Sequence, residues 1–156
     1  MAGKVLVIGV GNPLARDEGV GIRVIERLHR RRLPAGVEVV DAGTDLVGVL
    51  PRMAEARRCV LVDAVRAGGR PGEVHRLALD EVLERAGAER PWRSAHDLSV
   101  VGALRLARET GLRLPPTVLV GVEPAEVALG EGLTPAVEAA VESAVEAVLA
   151  ELNVTR

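Results

Sequence analysis

The sequence predicts an α/β fold, a mainly parallel five-stranded sheet with helices on both faces in a three-layer sandwich. Two observations predict it. Short runs of Val, Leu and Ile alternate along the chain with amphipathic stretches, as strands and helices do in such folds. Several of those runs are apolar throughout, which is typical of strands buried on both faces. The 156 residues contain no internal repeat and no linker, so we expect a single domain over residues 1–156.

Five segments are predicted to be strands. Three of them are continuous apolar runs, and one alternates polar and apolar residues, as a half-exposed or edge strand does. Asp41 follows the second strand and Asp63 follows the third. In chain order, the predicted strands are 4–10, 37–40, 59–62, 73–79 and 117–122.

Helices are predicted where apolar residues recur every three or four positions. Thr44 or Asp45 can cap the second helix, in which Pro51 predicts a kink or a restart. Thr134 is expected to cap the last helix and Pro135 to open it. The predicted helices are about 20–31, 46–53, 80–86, 98–108 and 135–152, with a loop at 87–97 that ends in Asp97 as a helix cap.

Composition excludes several classes of protein. The formal charge of −2 and the pI near 6.0 argue against a nucleic-acid binder, and Trp92 alone cannot form a base-stacking surface. Cys59 is the only cysteine, which excludes an internal disulfide, and we expect it to be a small core residue. No apolar run approaches the roughly 18 residues of a membrane span. The sequence therefore predicts a soluble, cytoplasmic protein with no membrane partner.

The glycine-rich loop GVGNPLARDEGVG at residues 9–21 is the first candidate site. It follows a predicted parallel strand, where α/β folds bind ligands. A dinucleotide loop needs a third glycine where this chain has Leu14. Asp17 and Glu18 also place negative charge where a pyrophosphate would need backbone amides or cations. Nucleotide binding is therefore disfavoured, and a cation suits the loop better.

Glu18, Asp63 and His96 form a candidate metal-binding set. Three oxygen and nitrogen ligands leave positions open for water or substrate, and they suit nickel, zinc, iron or manganese. The spacings, 63 − 18 = 45 and 96 − 63 = 33, are too long for a local metal motif. Structural roles stay open for each: a helix-start acid, a cap or salt bridge between Asp63 and Arg66, and a surface histidine. The other two histidines are expected to be structural.

Five sequence blocks lie in order over about residues 3–152: VLVIGVGNPLARDEGVGIRVIERL, DAGTD, LVDAV, SAHDLSV and LVGVEPAEVALGEGLTPAVEAAVE. With these blocks the chain resembles the maturation endopeptidases of nickel–iron hydrogenases. The opening GxGNPLxxDEGVG block and the closing LTPAVE block are specific to that family. The resemblance covers nearly the whole chain.

The resemblance implies a metal-dependent endopeptidase that removes the C-terminal extension of a hydrogenase large-subunit precursor after nickel insertion. In that family Glu18, Asp63 and His96 correspond to metal ligands with catalytic roles. Asp41 corresponds to a further acidic catalytic position at the cleft. The nickel is expected to come with the precursor, and cadmium or zinc can occupy the same site. The precursor is the expected partner of a monomeric enzyme.

Three alternatives are open at this point. The chain could be a non-proteolytic chaperone that docks on the nickel site of the same client. It could be a nucleotide-binding regulator, which would respond to a dinucleotide and not to nickel. It could also be a peptidase of the same fold that acts on a different precursor.

Overall fold

A computed structural model describes residues 3–87 and 100–153. Its strands are β1 (Val5–Val10), β2 (Val37–Gly43), β3 (Arg58–Ala64), β4 (Val74–Ala78) and β5 (Thr117–Val122). They form one sheet in the order β2-β1-β3-β5-β4. Every pairing is parallel except that of β4, which runs antiparallel to β5 at one edge. The predicted five-stranded, mainly parallel sheet and its edge strand are confirmed.

The helices cover both faces of the sheet. They are α1 (Val20–Leu28), α2 (Leu50–Glu55), α3 (Leu79–Gly87), α4 (Val101–Glu109) and α5 (Pro135–Leu152). Helices α1 and α5 pack with one set of buried strand residues, and α2, α3 and α4 pack with the other set. The three-layer arrangement is therefore as predicted. No helix in the described ranges is long and apolar enough to cross a membrane.

The core is aliphatic on both faces. Ile8 and Leu61 lie under the α2–α4 layer, and Ile25 and Leu28 lie in the α1–α5 layer, all almost fully buried. Burying one such side chain contributes about 1.5–3 kcal/mol, so two layers of them can hold the sheet without aromatic residues. Cys59 is fully buried among them, which confirms its prediction, and burial raises the pKa of its thiol to about 12.

Several element boundaries differ from the prediction. Strand β3 runs to Ala64 and so contains Asp63, which was predicted to follow it. Strand β2 continues past Asp41 to Gly43, because its pairing with β1 resumes after an irregularity. Helix α1 ends at Leu28 and not near residue 31. Leu28 is the last buried residue there, and residues 29–32 are exposed, so no apolar contact supports a further turn.

Pro51 marks a restart, as predicted. A short 3₁₀ turn over Val47–Val49 comes first, and α2 then begins at Leu50 with the proline in its first turn. Proline is tolerated there because the first amides of a helix have no acceptor within the helix. Three predicted features, Trp92, Asp97 and the loop at 87–97 beyond α3, lie outside the described residues.

Candidate active site

The carboxyl ends of β1 and β3 lie side by side, and α1 begins directly against them. Gly21 makes this approach possible. A Cβ atom on Gly21 would lie 2.4 Å from the carbonyl oxygen of Val10 and 2.4 Å from that of Val62. Only glycine allows the first turn of the helix to approach both strands so closely. The last glycine of the loop therefore fixes where α1 starts relative to β1 and β3.

Glu18 lies on a 3₁₀ turn, Arg16–Gly19, just before α1. The loop folds back on itself here, because the amide of Asn12 donates to the carbonyl oxygen of Glu18 at 3.2 Å. Gly11 adopts φ +150°, and a Cβ atom on it would lie 2.0 Å from that same carbonyl oxygen. The two glycines of the loop thus set the backbone of Glu18 at the sheet edge.

Asp63 is the sixth of the seven residues of β3. Cys59 and Leu61 pack under the α2–α4 layer, so strand alternation places Asp63 on that same face. It is only 8% exposed, although a lone carboxylate is costly to bury. Within the described residues its carboxylate accepts one hydrogen bond, from the amide of Ala64 at 2.8 Å. The alternative salt bridge with Arg66 does not form.

The environment of Asp63 disfavours its charged form. Burial raises the pKa of Asp63 well above its ordinary value, the hydrogen bond from Ala64 lowers it in part, and the negative charge of Glu18 raises it further. The 3₁₀ turn that carries Glu18 contacts β3, so Glu18 and Asp63 lie near each other at the sheet edge. This pair, which we call the acidic pair, is the part of the predicted set that the described residues contain.

Asp41 is not part of this arrangement. Val39 packs toward the α1–α5 layer, and alternation places Asp41 on that face, opposite to Asp63. The side chain is exposed, and its Oδ1 accepts a hydrogen bond from the amide of Gly43 at 2.8 Å. The catalytic role of Asp41 stays a prediction, and the structure does not place its side chain beside Glu18 and Asp63.

His96 lies outside the described residues. Helix α4, which follows it in the chain, covers the face toward which Asp63 points. In residues 3–87 and 100–153, no group of three His, Cys, Asp or Glu side chains is arranged to hold a metal ion. The role of His96 as the third ligand therefore stays a prediction. Of the three predicted ligands, the structure describes Glu18 and Asp63.

Asp17 has a structural role that the sequence did not reveal. It is fully buried, and its carboxylate accepts four hydrogen bonds. The amides of Ala125 and Glu126 donate at 2.8 and 2.9 Å. The amide and the hydroxyl of Thr134 both donate at 2.7 Å. Burial alone would raise the pKa of Asp17, but these hydrogen bonds hold it below its ordinary value.

This arrangement corrects one prediction. Thr134 precedes α5, but its side chain does not cap that helix. Its hydroxyl donates to the buried carboxylate of Asp17 at 2.7 Å, and this charge-assisted hydrogen bond orients the side chain toward Asp17. The two residues are 117 positions apart, so no local pattern could have predicted the contact.

Glu123 is a second buried acid that sequence reasoning missed. It directly follows β5 and is 5% exposed. Its Oε1 accepts hydrogen bonds from the amides of Ala67 and Gly69, each at 3.0 Å, and lies 2.9 Å from Nε2 of His75. Burial would raise the pKa of Glu123, but these contacts lower it overall. Glu123 therefore attaches the turn after β3 to β4, and His75 has the structural role predicted for it.

Comparison with known proteins identifies the family. A family model described as hydrogenase maturation protease matches residues 22–151, most of the chain. The chain belongs to the hydrogenase maturation protease family. The hydrogenase 2 maturation protease of Escherichia coli strain K12 is 36% identical over 151 residues, which are 96% of this chain and 91% of that protein. The hydrogenase expression/formation protein HupM of Azotobacter chroococcum is 37% identical, over 96% of this chain and 71% of that protein.

Solved structures of the family have the same fold. The hydrogenase maturating endopeptidase HybD from Escherichia coli superposes with a TM-score of 0.81 at 38% identity, over 96% of this chain and 91% of that one. The [NiFe] hydrogenase maturation protease HybD from Thermococcus kodakarensis gives a TM-score of 0.75 at 30% identity, over 96% and 99% of the two chains. This hydrogenase maturation protease is therefore an endopeptidase with the α/β fold predicted from its sequence.

Proposed function

We propose that this maturation protease removes the C-terminal extension of a nickel–iron hydrogenase large-subunit precursor, and that it acts after nickel has been inserted. Membership of the family supports a proteolytic step in hydrogenase maturation. The acidic pair is the observation that supports a dependence on metal. A buried carboxylate beside a second carboxylate gains most from a ligand that is a cation.

The nickel belongs to the substrate in this proposal. Glu18, Asp63 and His96 would supply oxygen and nitrogen ligands to open positions on nickel that the precursor already holds. Carboxylate and imidazole ligands suit such an ion. A cation between Glu18 and Asp63 would offset both the burial of Asp63 and the repulsion between the two acids. Engagement of the scissile segment at the acidic pair would then require loaded precursor, so that cleavage reports nickel insertion.

The acidic pair would fix the ion, and with it the scissile segment, at the edge of the sheet. A metal ion in this position can polarise the scissile carbonyl group or supply a hydroxide. Both routes need a rigid support. The glycine-dependent contacts of the loop with β1 and β3 supply that support for Glu18. A role of Asp41 as general base is a prediction independent of the acidic pair, because Asp41 and Asp63 lie on opposite faces of the sheet.

The test is the intact mass of a purified large-subunit precursor after incubation with the protease. We expect the mass to fall by one C-terminal segment with nickel-loaded precursor and to stay unchanged with nickel-free precursor. His96→Ala is expected to abolish the change, and His29→Ala, at an exposed histidine just after α1, is the matched control that should retain it. Equal cleavage of nickel-free precursor would refute the metal dependence. Binding of loaded precursor without any change in mass would favour the docking chaperone.

A further inference from the structure

Six large apolar side chains are exposed in the described part of the chain: Leu14, Val47, Leu106, Leu112, Val127 and Leu129. Three of the six lie on two loops at the carboxyl edge of the sheet. We call Leu14, Val127 and Leu129 the apolar rim. Their exposed fractions are 55%, 39% and 95%, so Leu129 contributes almost nothing to the core. Single exposed apolar residues are common, but a group on adjoining loops marks an interaction site.

Backbone hydrogen bonds join the two loops of the apolar rim. The amide of Gly130 donates to the carbonyl oxygen of Leu14 at 2.9 Å. The amide of Arg16 donates to Gly130 at 3.1 Å, and that of Asp17 donates to Glu126 at 3.1 Å. The two loops that carry the rim residues are therefore joined into one hydrogen-bonded unit.

Buried and backbone hydrogen bonds hold these two loops against the fold. The buried carboxylate of Asp17 holds the second loop through the amides of Ala125 and Glu126. Arg16 adopts φ +52°, a left-handed conformation that is unfavourable for a residue with a side chain. Its guanidinium donates to the carbonyl oxygen of Glu131 at 3.1 Å, across the two loops. A strained residue and a four-bonded carboxylate thus position a leucine that the core does not use, which points to a role in binding.

The apolar rim adjoins the acidic pair, because the amide of Glu18 donates to the carbonyl oxygen of Ala15, the residue after Leu14, at 3.2 Å. The exposed carboxylates of Glu126 and Glu131 lie on the same loop as Leu129. Arg16 is the single basic residue among these loop segments, 14–18 and 125–132, so the surface is acidic overall. Acidic groups around an apolar surface favour a partner with basic residues beside an apolar one, and they disfavour an anionic membrane.

We propose that the apolar rim is a docking surface for the precursor protein, and that it receives an apolar side chain flanked by basic residues close to the scissile segment. The inference rests on the proposed function. It adds a contact with the polypeptide that does not depend on nickel. The rim would contribute to the affinity for precursor and not to the rate of the bond cleavage.

The test compares Leu129→Ser with Leu112→Ser, an exposed leucine between α4 and β5 at the opposite edge of the sheet. With nickel-loaded precursor, we expect Leu129→Ser to raise KM about tenfold, as loss of a buried leucine contact does, with kcat within about twofold. Leu112→Ser should leave both constants unchanged. Both variants should unfold close to the wild-type temperature, and Leu129→Met should restore most of the affinity.

Several outcomes would overturn the proposal. They are an unchanged KM for Leu129→Ser, an equal increase in the control, or a loss confined to kcat. If the wild type cosediments with phosphatidylglycerol vesicles and Leu129→Ser does not, while KM is unchanged, the rim binds membranes and not the precursor. Failure of the proposed function is distinguishable: if the wild-type protein never changes the mass of the precursor, a pull-down of that precursor by wild type and Leu129→Ser still shows whether the rim binds it.

Discussion

Asp17 and Asp63 are two buried carboxylates at the same edge of the sheet, and their surroundings differ. Asp17 accepts four hydrogen bonds, and its pKa lies below the ordinary value because they outweigh its burial. Asp63 accepts one hydrogen bond within the described residues, and burial with the charge of Glu18 raises its pKa. A carboxylate with its full set of donors holds loops together, whereas one without them is available to a cation.

The largest effect is expected for Asp17→Asn. An amide offers one oxygen to four donors and brings an NH₂ group against backbone amides. We expect the free energy of unfolding to fall by about 3 kcal/mol or more, since hydrogen bonds to a charged group contribute roughly 1.5–3 kcal/mol each. Urea denaturation measures it. Glu126→Gln, on the loop after β5 that Asp17 holds, is the control, and a loss of less than about 0.5 kcal/mol is expected there because its side chain is exposed.

Asp63→Asn should have the opposite profile. The amide removes a buried charge that the fold disfavours, so stability at pH 7 should equal or exceed that of the wild type. Cleavage of nickel-loaded precursor should fall by about 100-fold or more, because a metal contact contributes several kcal/mol. Thermal unfolding and a cleavage time course measure the two effects. A strongly destabilised variant would show that Asp63 is structural, as Asp17 is.

Glu151 extends the comparison to a buried acid with cationic partners. It lies near the end of α5 and is 6% exposed, and its carboxylate pairs with Arg76 and with Arg58, the latter at 2.7 Å. The hydrogen bond and the charge of Arg76, together with Arg58, lower its pKa against the effect of burial. Because the folded-state pKa is depressed, this stabilisation is present above the unfolded value near 4.5 and is lost as pH falls below it.

Glu151→Gln should therefore lower the free energy of unfolding by about 1–2 kcal/mol near pH 7. The difference from wild type should shrink as the pH falls through the depressed pKa, because the wild-type carboxylate then takes up a proton. Unfolding curves at pH 7 and at pH 3 measure it. Cleavage of precursor should change little, since Glu151 is far from the carboxyl edge. A difference that is constant with pH would mean that the charge of Glu151 does not contribute.

The strands could be predicted from the sequence because a buried parallel strand needs an apolar residue on both faces, and 59–62 and 117–122 have little else. The restart at Pro51 could also be predicted, because a proline cannot donate a backbone hydrogen bond inside a helix. The contacts of Asp17 and Glu123 could not be predicted, since their partners are up to 117 and 56 positions away. The pairing of Glu18 with Asp63 could be predicted only because parallel strands bring their carboxyl ends to one edge.

The most direct test of the account is the affinity of the protein for cadmium ions, measured by titration calorimetry at pH 7 on four proteins. Wild type and Asp41→Asn should bind one ion equally well, while Glu18→Gln and Asp63→Asn should bind at least about tenfold more weakly, as for loss of one ligand. Binding to the wild type should strengthen as pH rises, because a carboxylate binds a metal ion only when deprotonated and burial raises the pKa of Asp63. Binding by Asp63→Asn with wild-type affinity would contradict the account.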